Sequence, residues 1–274
     1  MPDFQRLKRR ARRLWKNRLK RVVPIVLVAV LAAAAVTVAG FAILRPDVER
    51  PATQAAPKVT PKTPTATASA TANAVKLAPV PAGSTVLFVG DSWSYSVGAD
   101  EHNQGFPYVT AEALKVTPDI HGYGSVGYVN KGSDKFGAFQ ARLAYDKPTG
   151  SPSLVVLQGS QNDAAVPPAQ ITVAARALVA DVRSRFPAAQ VVMVGPAPAT
   201  AGLIAALAPV DAALTEAAEA ERVPYVSPLR DGWFTSATLS EYMNPMDGSP
   251  HPNTAGHQRF GALLASSIQA LQKG

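Results

Sequence analysis

The stretch Thr85-Val86-Leu87-Phe88-Val89-Gly90-Asp91-Ser92 decides how this chain folds. Its first five residues are mostly β-branched or aromatic, which is typical of a strand, and Gly90 and Asp91 favour a turn. A serine at a strand-to-helix turn presents its hydroxyl above the sheet, where its own N–H and the helix N-terminus can stabilise negative charge. Ser92 is therefore a candidate nucleophile.

Four further runs are candidate strands: Val116–Ile120, Leu154–Gln158, Val191–Val194 and Tyr225–Ser227. The second and third of these runs are apolar, as strands buried on both faces of a parallel sheet should be. Segments with helical periodicity begin near Pro168, near Val210 and at Asn253 or Thr254. Alternating strands and helices predict an α/β fold, a three-layer α/β/α sandwich with about five parallel strands, whose sites form at the carboxyl ends of the strands.

The N-terminal part of the chain has a different character. Ten of the 27 Lys and Arg residues lie in residues 1–21, whereas residues 22–44 carry no charge. A run of this length can span a bilayer core of ~30 Å, and the positive-inside rule keeps the basic tail in the cytoplasm. The alternative is a signal peptide cleaved after Thr37-Val38-Ala39. The sequence thus predicts a single-pass anchor with an extracytoplasmic domain, which is secreted if the segment is cleaved.

Residues 45–82 are rich in Pro, Thr and Ala and contain little that is large and apolar, so we expect a disordered linker. Residues 83–274 then form the single folded domain. This domain has 12 basic and 16 acidic residues, a net charge of −4, although the whole chain carries +8. A slightly acidic domain has no electrostatic reason to bind nucleic acid. The chain has no cysteine, which excludes disulfides and thiol catalysis.

A serine nucleophile needs a base, and His251 lies in Asp247-Gly248-Ser249-Pro250-His251-Pro252-Asn253, just before the last helix. This position is at the same sheet edge as Ser92, and Asp247 is near enough to orient the imidazole. The alternative is a turn in which Asp, Gly and Pro act only on backbone conformation. His257 falls inside the last helix, where we expect a structural role.

An acyl-transfer oxyanion also needs hydrogen-bond donors. Gln158-Gly159-Ser160-Gln161-Asn162-Asp163 places an Asn amide at the end of the third strand, and Gly122-Tyr123-Gly124-Ser125-Val126-Gly127 follows the second with exposed backbone N–H groups. All these segments converge on one edge of the sheet.

These blocks resemble those of the SGNH hydrolases, also known as GDSL-type esterases and lipases, over residues 84–274. Gly90-Asp91-Ser92 matches the first block, Gly127 the second (with Gly124 a near alternative), Asn162-Asp163 the third and His251-Pro252-Asn253 the last. The resemblance implies a flavodoxin-like fold, and together with the predicted anchor at residues 22–44 it implies a membrane-anchored bacterial member of the family. It assigns Ser92 as nucleophile, His251 as base, and Ser92, Gly127 and Asn162 as oxyanion donors.

Two positions depart from the family pattern. Ser160 stands where the third block usually has Gly, and Asp247 lies four residues before His251 instead of three. One extra residue in the turn would still let Asp247 reach the imidazole. Otherwise a backbone carbonyl has to orient it.

The run Gly122–Gly127 also fits a dinucleotide fingerprint, but it follows the second strand and no acidic residue ends a strand about 20 positions later. A metal site built on Asp247 and His251 lacks a third ligand. We therefore predict neither a cofactor nor a metal.

The resemblance implies an acyl-ester substrate, with a short acyl group such as acetyl, on a cell-wall polysaccharide or a lipid of the envelope. Two alternatives remain: acyl transfer to an envelope glycan, and an inactive cell-wall-binding module. Four aromatic residues near the site are candidates for a sugar-stacking or acyl-contact wall, or for simple packing: Trp93, Tyr95, Phe106 and Tyr123.

Overall fold

The computed structural model of the chain describes residues 75–133, 136–148, 150–245 and 250–273, all within one compact unit, Thr67–Gly274. The predicted tail (1–21), the predicted span (22–44) and most of the predicted linker lie outside these ranges. Within them, no helix combines the length and the apolar character needed to cross a membrane.

Five strands form one parallel sheet in the order β2-β1-β3-β4-β5. They are β1 (Thr85–Gly90), β2 (Thr117–Gly122), β3 (Leu154–Gln158), β4 (Gln190–Val194) and β5 (Tyr225–Val226). Each lies within two residues of a strand that the sequence predicts. The α/β fold with a five-stranded parallel sheet is thereby confirmed.

In the described part of the chain, seven α-helices accompany the sheet: α1 (Phe106–Leu114), α2 (Phe139–Asp146), α3 (Pro168–Arg185), α4 (Ala201–Ala206), α5 (Ala208–Glu221), α6 (Leu239–Tyr242) and α7 (Thr254–Lys273). The sequence predicts α3, α5 and α7, which are long enough to show an apolar periodicity. The other four have nine residues or fewer and show no such pattern. Two short strands, β6 (Met243–Asn244) and β7 (His251–Pro252), pair antiparallel with each other.

Alternate side chains of each central strand point to opposite sides of the sheet, so both faces of the sheet are apolar. Helices cover both of these faces. Leu87 and Leu157 pack on one side against the apolar faces of α3 and α5. Phe88 and Val156 pack on the other side against α1 and α7. Each such buried side chain contributes roughly 1.5–3 kcal/mol relative to an exposed one. The result is a three-layer arrangement with the sheet between two layers of helices.

The folded domain begins earlier than the predicted boundary at residue 83. Leu77 is only 4% exposed, and its N–H donates to the Leu271 carbonyl at 3.0 Å. The Ala78 N–H and carbonyl bond the side-chain amide of Gln190 at 2.6 and 3.0 Å. The end of the Pro/Thr/Ala tract therefore belongs to the folded domain, because the Leu77 side chain is buried in the core on the side of the sheet that α7 covers.

Candidate active site

The segment after β1, residues 91–97, coils into a tight turn that we call the nucleophile turn. The Tyr95 N–H donates to the Asp91 carbonyl (3.2 Å), and the Val97 N–H donates to the Ser92 carbonyl (3.0 Å). A Cβ at Gly90 would collide with the side chains of Ser94 and Gln158, so only glycine fits where β1 meets the turn. The turn leaves Ser92 at the carboxyl edge of the sheet.

The structure brings Ser92 and His251 together. The Ser92 Oγ lies 2.8 Å from His251 Nε2, although 159 positions separate the two residues. Both are largely shielded from solvent, at 6% and 8% exposed. A hydroxyl and an imidazole nitrogen at this distance form the pair that a nucleophile and its general base require.

The segment around His251 is held from two sides. His251 belongs to β7, opposite Asn244 of β6, and the Asn244 side-chain amide donates to the Gly98 carbonyl at 2.7 Å. A side chain at Gly98 would collide with the Pro252 carbonyl, so this loop runs directly against β7. Asp247 lies outside the described residues, and its predicted role as the orienting acid stays a prediction.

Ser160, which stands where the family pattern has Gly, is tied into the loop after β2. Its Oγ donates to the Val126 carbonyl (3.0 Å) and accepts from the Asn162 N–H (3.0 Å). The Asn162 Nδ2 donates to the same Val126 carbonyl at 2.8 Å. An amide nitrogen carries two hydrogens, and this bond uses one of them. The departure at Ser160 thus helps to position Asn162.

Asp163 organises the backbone of the same loop. Its carboxylate accepts from the N–H groups of Tyr128 (2.7 Å), Asn130 (2.8 Å) and Val129 (3.3 Å). Burial raises the pKa of Asp163, and these three bonds counteract part of that effect. A Cβ at Gly127 would collide with this carboxylate. The close approach of Asp163 is thus a structural reason for glycine at position 127.

The structure departs from the prediction for Gly127 as an oxyanion donor. Its N–H donates to the Asn130 carbonyl at 2.9 Å, inside the loop that Asp163 holds. A donor that is already paired cannot serve an oxyanion without breaking that bond. The sequence pattern could not show this, because it gives the glycine but not the direction of its N–H.

A polar layer beneath the nucleophile turn was missed from the sequence. Burial raises the pKa of Asp91 to about 6, and hydrogen bonds from the Trp93 N–H (2.9 Å) and from the Gln158 amide partly oppose this rise. The Gln158 amide is best satisfied when its nitrogen donates to Ser94 Oγ (2.8 Å) and Asp91 Oδ1 (3.1 Å), because its oxygen would otherwise face the carboxylate. In sequence, Gln158 reads only as the polar end of an apolar strand.

His257 is a core histidine, as the sequence predicts. It is fully buried, its Nδ1 accepts from the Phe106 N–H (3.2 Å), and its Nε2 faces the Val97 carbonyl (3.1 Å). These partners require the neutral tautomer with the proton on Nε2. Burial lowers the pKa of His257 to about 4. The side chain joins α7 to α1 and to the end of the nucleophile turn.

Acid should destabilise the fold through His257. The pKa of His257 is about 4 in the folded protein, whereas its ordinary value, which applies to the unfolded chain, is 6.5. Between these two pH values the imidazole is therefore protonated in the unfolded chain and neutral in the folded protein. The stability from the neutral ring is complete above pH 6.5 and is lost as the pH falls through 4, about 3 kcal/mol in total. The fall in Tm from pH 7 to pH 4.5 should therefore be smaller for His257→Gln than for the wild type. Equal falls in the two proteins would contradict a buried neutral imidazole.

The four aromatic residues near the site do not form one wall. Trp93, Phe106 and Tyr123 are buried in the core, whereas Tyr95 is 55% exposed. Packing explains the first three, and only Tyr95 is open to a ligand.

A parallel α/β sheet with a serine–histidine pair at its carboxyl edge is the arrangement of an α/β ester hydrolase. The sequence profile of the GDSL-like lipase/acylhydrolase family matches residues 88–259, more than half of the chain. The chain belongs to this family, and it is an enzyme that hydrolyses ester bonds.

Several known proteins are similar to the chain. A GDSL lipase of Mycobacterium tuberculosis is 27% identical over 197 residues, which cover 67% of this chain and 80% of the relative. A carbohydrate esterase family 2 enzyme of Corynascus thermopiles (Myceliophthora fergusii) has a similar fold, with a TM-score of 0.54, 19% identity, and coverage of 73% of this chain and 69% of that one. A family 2 carbohydrate esterase of Clostridium thermocellum, solved with cellohexaose, has a TM-score of 0.53 and 19% identity, with coverage of 71% and 66%.

Proposed function

We propose that the domain cleaves short acyl esters, such as acetyl esters, through a covalent acyl-enzyme in which Ser92 is the nucleophile and His251 the general base. The observation that carries this proposal is the 2.8 Å contact between Ser92 Oγ and His251 Nε2. A free serine hydroxyl is a weak nucleophile at neutral pH, and a base that can accept its proton activates it.

In the first half of the reaction, His251 Nε2 takes the proton of Ser92 as Oγ attacks the ester carbonyl. The oxyanion that forms is stabilised by the Ser92 N–H and by the second hydrogen of Asn162 Nδ2. The intermediate collapses, the bond to the alcohol oxygen breaks, and His251 gives its proton to the leaving alcohol. Ser92 is left acylated.

In the second half, water attacks the acyl-enzyme while His251 again accepts a proton. Collapse of this intermediate releases the acid, and the proton on His251 returns to Ser92 Oγ. We infer that Asp247 orients the imidazole throughout and stabilises its charged form, as the acid of a serine triad does. Every proton in the cycle is moved by the chain's own residues.

The Asn162 side chain should matter for turnover much more than for binding. The full-length wild-type protein should hydrolyse p-nitrophenyl acetate, and Asn162→Ala should lower kcat by about 10²–10³, because one donor aimed at the developing charge is removed. The exposed Gln170 on α3 provides an amide-to-Ala control that should keep wild-type kcat. An Asn162→Ala enzyme with normal kcat would remove this residue from the oxyanion site.

We also propose that the domain acts outside the cytoplasmic membrane, because the uncharged run 22–44 follows a strongly basic tail. The protein should then fractionate with membranes, and protease added to intact cells should release a fragment that begins between residues 45 and 74. A cytoplasmic marker protein should stay intact in the same cells. Full-length protein in the cytosol would contradict both the anchor and the export.

A further inference from the structure

Three exposed or half-exposed rings form a continuous edge-to-face chain beside the nucleophile turn. The Tyr95 and His102 ring centroids are 5.3 Å apart at 61°, and those of His102 and Tyr108 are 5.7 Å apart at 74°. We call these three residues the aromatic shelf. Tyr95 is its most prominent member, with more than half of its surface open to solvent.

One end of the aromatic shelf belongs to the nucleophile turn. Tyr95 lies three residues after Ser92, inside the same hydrogen-bonded turn. Its neighbours Trp93 and Ser94 are fully buried, so the turn directs Tyr95 outward. Its backbone also lies against the end of β2, where a Cβ at Gly122 would collide with it. The backbone that carries the Tyr95 ring is therefore held by the nucleophile turn and by the end of β2, at the carboxyl edge of the sheet.

The loop that carries His102 is fixed to the elements that flank His251. The Asp100 N–H donates to Thr254 Oγ1 (2.9 Å), whose hydroxyl donates back to Asp100 Oδ2 (2.8 Å). Thr254 is the first residue of α7 and lies two positions after the end of β7. The Gly98 carbonyl at the start of the loop accepts from Asn244 of β6. The loop is thus held by hydrogen bonds to α7 and to β6, the elements on either side of His251. A ligand that binds to the shelf therefore does not have to order this loop first.

The surroundings of the aromatic shelf favour a ligand with one apolar face and a polar rim. Glu101 and Asn103, which flank His102 in sequence, are exposed polar residues. Within the described ranges, the other exposed large hydrophobic side chains are Val75, Tyr145 and Val173, which are dispersed along the chain. A lipid surface or a long acyl chain would require a contiguous apolar patch instead. A sugar ring has the matching chemistry, with C–H groups on its face and hydroxyls around it.

We propose that the aromatic shelf is a glycan subsite, in which Tyr95 packs against the face of a sugar ring in the alcohol part of the substrate. The hydroxyls of that ring are then within reach of the polar side chains of the 98–104 loop. This assignment rests on the proposed esterase function and adds the substrate class: acyl esters of a polysaccharide.

Full-length Tyr95→Ala tests the subsite with three esters: acetylated mannan oligosaccharides, ethyl acetate and ethyl laurate. The ratio of kcat/KM for the oligosaccharide to kcat/KM for ethyl acetate should fall about tenfold, mainly through a higher KM, because ethyl acetate has no ring to stack. Tyr95→Phe should retain most of the wild-type ratio, since the ring and not the hydroxyl makes the contact. Tyr145→Ala is the matched control, because Tyr145 is 64% exposed but lies on α2, and it should not change the ratio.

An unchanged ratio in Tyr95→Ala would overturn the glycan subsite while leaving the esterase function intact. So would a wild type that turns over ethyl acetate but not the oligosaccharide. A Tyr95→Ala enzyme that loses ethyl laurate turnover relative to ethyl acetate, with oligosaccharide turnover unaffected, would assign the shelf to acyl chains instead. If the wild type hydrolyses none of the three esters, the proposed function fails and the subsite fails with it.

Discussion

Ser92→Ala is expected to lower kcat for p-nitrophenyl acetate by about 10⁴- to 10⁶-fold, because no other group in the proposed mechanism can form the acyl-enzyme. In the described part of the chain, the Ser92 hydroxyl forms its side-chain hydrogen bond with His251. Its removal should therefore have little effect on the stability of the fold. Tm measured on the same sample should stay within a few degrees of the wild-type value. The measurement pairs steady-state kinetics with a thermal melt of full-length protein.

A matched control for this variant is Ser236→Ala, which removes an exposed serine hydroxyl and should keep both kcat and Tm. If Ser92→Ala keeps the activity of the wild type, the nucleophile is another residue. If Ser92→Ala loses both its activity and its cooperative melt, unfolding explains the loss of activity. The nucleophile is then tested with a Ser92→Cys enzyme that melts normally, whose thiol can be alkylated.

His251→Ala should be about as inactive as Ser92→Ala, because residues that act as one unit do not contribute additively. The two histidines near the start of α7 should behave in opposite ways. His251→Ala removes the base and should leave Tm nearly unchanged, whereas His257→Gln disturbs a buried pair of hydrogen bonds and should lower Tm while retaining turnover. Kinetics and melting curves for both variants separate the two roles.

The double variant Ser92→Ala/His251→Ala provides the internal check, since it should be no less active than either single variant. Turnover near the wild-type value in His251→Ala would disprove its role as base. Asp247→Asn examines the remaining member of the proposed triad: a loss of about 10⁴ in kcat is expected if Asp247 holds the imidazole. Near-normal kcat in that variant would mean that another group does so.

Much of the fold could be predicted because the central strands have strong local signals. Leu154–Gln158 is predicted and observed residue for residue, since its first four residues are apolar, as expected of a strand buried on both faces. The pairing of Ser92 with His251 follows from topology, because the end of β1 and the start of α7 lie at the same edge of a parallel sheet. Once the fold is known, a separation of 159 positions in sequence is no obstacle.

The features that escaped prediction depend on tertiary contacts. The bond between Ser94 and Gln158 joins residues 64 positions apart, and nothing local in either segment indicates it. The Gly127 N–H was expected to face an oxyanion, but the Asp163 carboxylate draws the following backbone N–H groups toward itself and the loop closes on the Asn130 carbonyl. Leu77 falls within the predicted linker because composition averages over a window and conceals one buried side chain.

Ser160 illustrates a departure from a motif that the structure explains. The family pattern has glycine there, and sequence alone could only raise doubt about the third block. The serine hydroxyl bonds the Val126 carbonyl, which is also the partner of Asn162. The substitution therefore joins the third block to the loop of the second, because Ser160 and Asn162 donate to the same carbonyl.

Covalent labelling tests the central claim most directly. Full-length protein treated with a fluorophosphonate should gain one adduct, which mass spectrometry should map to Ser92, because only a serine activated by a base reacts readily with this reagent. Prior acylation by an excess of ester substrate should slow the labelling, and His251→Ala should prevent it. An adduct on a different serine, or wild-type protein that stays unlabelled while retaining its cooperative melt, would contradict the assignment of Ser92 as an activated nucleophile.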